Sequence, residues 1–146
     1  MSKPFQETIS FLLSQVCRAH RSMAATLLHE LDLYPGQEFL LYQLWQESDV
    51  TQSDLAKHLC IEAPTVTRML QRMERTGLIE RHPDPLDARV SRVCLTEQGR
   101  ALQHEVEAVW QKLEEQTMVG FTLEERLLVR RLLLQMQSNL SKETAG

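Results

Sequence analysis

The residues best equipped for chemistry lie in two short stretches. The first is "APTVTRMLQRMERTG", Ala63 to Gly77. Val66, Met69, Leu70 and Met73 recur there at steps of three and four, the spacing of one buried helix face. That leaves Pro64, Thr67, Arg68, Gln71 and Arg75 on the opposite face, with Thr65 and Arg72 at its edge. An apolar surface, short hydroxyls and planar guanidinium forks suit phosphate oxygens and guanine edges. The second stretch is "ERHPDPLDARVSRVCLTEQG", Glu80 to Gly99, and it carries Asp87, Arg89 and Arg92. Its prolines and aspartates mark a tight turn, while Val93 and Leu95 sit at strand spacing and Thr96 opens a helix. Asp87 stands two residues from Arg89 and can hold its fork in place. Arg92, farther from the tip, is placed to meet phosphate or Glu80 on the paired strand.

These side chains need a scaffold, and the flanking sequence supplies one. "TQSDLAKHL" offers Thr51 as a helix cap with Asp54 answering three residues on, and buries Leu55, Ala56 and Leu59. A very short turn leads into the arginine-bearing helix, which takes Pro64 in its first turn and Gly77 just past its end. Two short helices across a tight turn, the second polar on its outward face, make a helix-turn-helix. An α-helix fits the major groove, and the first turn of such a helix reaches the bases. A thin hairpin beside it can enter the adjacent minor groove, where arginine answers the concentrated negative potential. Double-stranded DNA is the expected partner.

The net charge of −4 over 146 residues looks wrong for that partner until its distribution is read. Residues 1–61 hold four basic and seven acidic groups, and residues 101–146 hold five and seven. Residues 62–100 hold seven basic groups against six acids, and every one of the seven is arginine. No Gly-rich phosphate loop, G-x-S-x-G or metal-ligand spacing can be placed, so the sequence predicts no enzyme, no cofactor and no metal. Cys17, Cys60 and Cys94 lack a C-x-x-C and read as packing residues. With no bilayer-length apolar run and no signal-peptide core in "MSKPFQETIS", a cytoplasmic location away from membranes is expected. A protein–protein module on the same fold is the competing reading; it has no need of the arginine face.

Outside this middle the chain reads as helix. Phe5, Ile9, Leu12, Val16, Ala19, Met23, Leu27 and Leu31 mark one long amphipathic helix, broken by "DLYPG". Phe39, Leu40, Leu41, Leu44 and Trp45 belong to a second. After the hairpin, Thr96 caps a helix running to about Thr117, and Thr122 caps the last one. That last helix, "LLVRRLLLQM", puts leucine on too many sides for one buried stripe. It asks for a partner chain. The fold class is mainly α with a small β-hairpin wing.

This order of parts resembles the winged-helix regulators of the MarR family over nearly the whole chain. The family's "LA..L" helix, "S.VTR.L..LE..GL" recognition helix, "D.RD.R" wing and closing "LT..G" are matched at Leu55–Ala56, Leu59, Val66–Thr67–Arg68, Leu70, Glu74, Gly77–Leu78, Asp84, Asp87, Arg89, Leu95–Thr96 and Gly99. The chain departs at Leu86, where the wing motif normally has arginine. The resemblance implies one MarR-type domain over 1–146, with residues 35–99 as a winged helix-turn-helix DNA-binding lobe. Residues 1–34 and 100–146 would form the helical dimerisation region of a homodimer on a pseudo-palindromic operator. It further implies repression or activation of nearby genes, with a ligand-responsive repressor expected here, and often an effector that is a small aromatic or amphipathic molecule. The family's organic-peroxide sensors place their reactive cysteine near the start of the first helix, which falls close to Ile9 here, two turns before Cys17.

Overall fold

The computed structural model describes residues 4–143. Thr8 decides where the first helix begins: its Oγ1 accepts from the Phe11 amide, so Phe5–Glu7 form a separate 3-10 turn and α1 spans Ile9–His29. The expected single helix from Phe5 to Leu31 is therefore shorter at both ends. The segment behind α1 is pinned by two side chains of α2, Gln37–Gln46. Gln37 Oε1 accepts from the Tyr34 amide at 3.1 Å, and Glu38 Oε2 accepts from the Gly36 amide at 2.7 Å.

Then follow β1 (Val50–Thr51), α3 (Gln52–Leu59) and α4 (Ala63–Arg75). Thr51 Oγ1 accepts from the Asp54 amide, capping α3 as its sequence suggests. Cys60 takes the left-handed conformation that closes α3 and turns the chain into α4. Strands β2 (Ile79–Pro83) and β3 (Ser91–Leu95) form the expected hairpin, but β1 joins it. The sheet is three-stranded and antiparallel, in the order β1-β3-β2, with Val93 opposite both Val50 and Arg81. A two-residue strand leaves no alternation in sequence to detect. Leu40, Leu44, Leu55, Leu70, Met73 and Val93 are all buried in one core, so the helix-turn-helix and the wing share their interior.

The join between wing and helices rests on Thr96 and Gly99. Thr96 caps α5 (Glu97–Ala101) by accepting from the Gly99 amide, and donates its hydroxyl to the Gly77 carbonyl. Gly99 receives the Trp45 indole N–H on its carbonyl at 3.0 Å, and a Cβ added there would run into the Leu78 carbonyl. Gly99→Ala is therefore expected to destabilise the protein by about 1–3 kcal/mol through overpacking. A thermal melt unchanged from wild type would refute that close approach.

The expected helix from Thr96 to Thr117 is broken at Leu102, whose amide turns to the Arg100 carbonyl before α6 (Gln103–Thr117) begins. The described chain divides into two compact units between Leu113 and Glu114. In the second, Thr122 and Glu125 form a reciprocal capping box at the start of α7 (Leu123–Glu143). The leucines of α7, Leu127, Leu128, Leu133 and Leu140 among them, are exposed. In the first unit Phe5, Ile9, Leu12 and Val16 are exposed as well. None of the three cysteines is fully buried: Cys17 and Cys60 are exposed and Cys94 half-buried. Within the chain the packing reading is corrected for two of them: Cys17 lies on the uncovered part of α1 and Cys60 at the helix-turn-helix corner. No helix among the described residues is long and apolar enough to cross a membrane.

Candidate nucleic-acid interface

α4 buries Val66, Leu70 and Met73, which turns its other face outward. Pro64, Arg68, Gln71, Arg72 and Arg75 are exposed on it. Glu62, ahead of the helix, makes no side-chain capping bond. An N-terminus without a side-chain cap is a natural place for an anion. The two threonines are less available than the helical wheel suggests. Thr67 is half-buried, with its hydroxyl between the Gln52 side-chain amide at 2.7 Å and the Ala63 carbonyl at 3.0 Å. It ties α3 to α4. Thr65, also half-buried, lines a groove with Tyr34, Pro35, Arg68 and Arg72.

The arginines of α4 differ in freedom. Arg72 lies over the Tyr34 ring, 4.8 Å from its centroid, a contact that orients the guanidinium while leaving it exposed. Arg75 Nε–H reaches the Gln71 carbonyl at 3.4 Å. Among the described residues no hydrogen bond or ion pair holds the Arg68 side chain, which lines the groove with Tyr34 and Pro35.

The tip of the wing is built by aspartates. Asp84 Oδ1 accepts from the amides of Leu86 and Asp87, and its own amide donates to the Val90 carbonyl. Asp87 Oδ1 and Oδ2 accept from Nε and Nη2 of Arg89, both at 3.0 Å, the bidentate pair that their spacing allowed. The Arg89 side chain is nevertheless 91% exposed, and Leu86 beside it is 98% exposed. The amides on Asp84, with Arg92, hold its carboxyl below the ordinary carboxylate range, and Arg89 does the same for Asp87. Both are charged at neutral pH. Their contribution to wing order is present above that range and fades only as acid titrates the depressed carboxyls.

Arg92 is not placed as expected. Glu80 lies opposite Cys94, and Arg92 lies opposite His82 in the sheet. Its guanidinium donates to Asp49 Oδ1 at 3.1 Å, to the Asp49 carbonyl at 2.8 Å and to Asp84 Oδ2 at 2.9 Å. The proposed Glu80 contact is corrected: β1 brings Asp49, 43 residues away, to the hairpin, and Asp49 takes the arginine. Arg92 is a brace from the wing turn to β1. Only the third strand could reveal this.

Next to the brace, Cys94 Sγ lies 4.0 Å from His82 Nδ1, and His82 Nε2 lies 3.4 Å from Asp49 Oδ1. The order thiol, imidazole, carboxylate has the outline of a nucleophile relay. Its electrostatics run the other way. Burial, with Glu80 and Asp49, pushes the Cys94 thiol up, whereas an activated cysteine is pulled down.

A polar helix face in front of a helix-turn-helix, beside a wing with an exposed arginine, defines the class: a winged helix-turn-helix DNA-binding regulator. A sequence model described as the MarR family matches residues 33–91. A regulator of the helix-turn-helix type from Bacillus subtilis strain 168, YybA, is 24% identical over 131 residues, 90% of this chain and 87% of that one. The crystal structure of a cysteine-to-serine mutant of MarR from E. coli, complexed with operator DNA, is 28% identical with a TM-score of 0.81, covering 92% of this chain and 99% of that one. BpsR of Bordetella bronchiseptica, whose DNA binding is regulated by 6-hydroxynicotinic acid, is 26% identical with a TM-score of 0.84, over 94% of this chain and 98% of that one. Over residues 33–91 the sequence is that of the MarR family of transcriptional regulators, and over 92% of the chain so is the fold.

Proposed function

We propose that this protein is a cytoplasmic, ligand-responsive repressor that binds a pseudo-palindromic operator as a homodimer. One observation carries the reading: the free Arg68 on the outward face of α4 and the 91% exposed Arg89 on the wing belong to elements that share one core. Residues 35–99 form the DNA-binding lobe, and residues 1–34 and 100–146 the dimerisation region. Pro64 and Arg68 address bases in the major groove, with Thr65 and Gln71 flanking them. Arg72 and Arg75 take phosphates, Thr67 fixes the angle of α4, and Arg89, held by Asp87, enters the minor groove. Arg92 supports the wing from behind. The apolar residues exposed on α1, and separately those on α7, support a partner copy, since large apolar side chains left uncovered in number mark an interaction surface. The regulation of BpsR by 6-hydroxynicotinic acid supports an effector of small aromatic type.

The test is duplex binding of the purified protein as a function of salt, on DNA selected from a random pool. Affinity should fall steeply with salt, with a log–log slope near −0.9 per phosphate contacted. Binding that is absent, or indifferent to salt, would leave the protein–protein reading in its place. The wing provides a finer test in the same assay. Arg89→Ala should weaken operator binding more than Arg92→Ala does per unit of lost stability, because only the second removes the brace to Asp49 and Asp84. Asp87→Ala should reproduce part of the Arg89→Ala loss. Leu86→Arg, which restores the family's wing arginine, should tighten binding and steepen its salt dependence. Equal affinities for wild type, Arg89→Ala and Leu86→Arg would show that the wing does not touch DNA.

A further inference from the structure

A cavity of about 370 Å³ opens between α2 and α6. Its volume lies near the lower end of ligand sites, about 300–1,000 Å³, which suits one or two fused rings. Phe39, Tyr42, Trp45 and Trp110 wall it, and Phe39 and Trp110 meet edge to face-like with centroids 5.4 Å apart and planes inclined at 59°. Val106 and two carboxylates, Glu38 and Glu107, complete the lining, and among the described residues these two are its charged groups. Four aromatic rings line the cavity, and both of its charged groups are acids. An organic anion would meet repulsion here with no donor fork to answer it.

The contrast with the neighbouring cavity is sharp. Glu38, Phe39 and Trp110 are shared walls, and on their other side His20 and Arg21 line a space of about 450 Å³. Arg21 acts on Glu38 from that side, so Glu38 is shared between a cavity with a base and the first cavity, whereas Glu107 lines the first. Glu38 is 3% exposed, and burial pushes its carboxyl up despite the Gly36 amide it accepts. A cation beside it would recover some of the solvation the carboxylate lacks. Glu107 is half-open at the rim, steadied by the Gln103 amide at 2.9 Å, with His104 Nδ1 3.8 Å away.

We propose that the cavity between α2 and α6 binds a flat organic cation, held by the faces of Trp45 and Trp110 and by the charges of Glu38 and Glu107. This deepens the reading of the protein as an effector-responsive regulator and rests on it for the regulatory consequence only; the binding chemistry stands on the cavity.

Calorimetry on the full-length protein tests it with an isosteric pair, N-methylquinolinium and uncharged 1-methylnaphthalene. The cation should bind roughly tenfold tighter, as cation–π contact and a partly desolvated carboxylate predict. Glu107→Gln, a change at the rim that spares the core, should remove several-fold of the cation's affinity and leave the hydrocarbon's unchanged. Tyr42→Ala should weaken both. Equal affinities of the two probes for wild type, or a cation affinity untouched by Glu107→Gln, would overturn the proposal. Operator release in a parallel titration reads the regulatory role separately, so failure of the effector reading and failure of the cation site are distinguishable.

Discussion

Arg68→Ala should weaken binding to the cognate operator by roughly 1–3 kcal/mol and relax the preference at one base position in each half-site. The reason lies in its place on α4. Arg68 is one turn in from Pro64, where a recognition helix reaches base edges, and it is the arginine of that face without a bond to a neighbouring residue among those described. A guanidinium that meets two acceptors on one guanine loses both when truncated, and the loss is specific to that base. Arg72→Ala and Arg75→Ala are expected to behave differently. They should weaken all sequences alike and flatten the salt slope, as phosphate contacts do. Binding-site selection on wild type and Arg68→Ala, with anisotropy on the winners, separates the two patterns. Unchanged affinity and unchanged preference for Arg68→Ala would mean that α4 does not read the groove.

The second large effect is on assembly. A chain ending at Gln135 loses the last turns of α7, with Met136 and the exposed Leu140. Leu127, Leu128, Leu133 and Leu140 are uncovered in the second unit, as are Ile9, Leu12 and Val16 in the first. Apolar surface removed from water contributes about 25 cal/mol per Å², and obligate dimers commonly bury 2,000 Å² or more, roughly. Shortening α7 should therefore leave monomer or aggregate rather than dimer in light scattering. Operator affinity should fall further than for any single contact mutant, because two half-sites then have to be bound independently. A truncated protein that stays a well-folded dimer would remove α7 from the interface.

Much of this architecture was legible because its determinants are local. The stripe Val66, Met69, Leu70 and Met73 reports a helix in any context, since the period of buried positions follows from the geometry of α4 itself. Caps are equally local: Thr51 with Asp54, Thr96 with Gly99 and Thr122 with Glu125 each sit three residues apart and each forms. The Asp87–Arg89 pair belongs to the same group, because two residues at this spacing in a tight turn meet without help from the rest of the chain.

What the sequence by itself did not determine are contacts between distant segments. Asp49 and Arg92, Gln52 and Thr67, and Trp45 and Gly99 are each separated by 15 to 54 positions, and no spacing rule links them. The fold decides them by laying β1 against β3 and by crossing α3 over α4. These pairings engage two of the proposed contact residues, tying Thr67 to Gln52 and Arg92 to Asp49 and Asp84. The same long-range packing makes the aromatic cavity, where α2 and α6 set the rings of Phe39 and Trp110 5.4 Å apart. Local pattern determined which side chains each element would carry; long-range packing decided which of them remained free to bind anything.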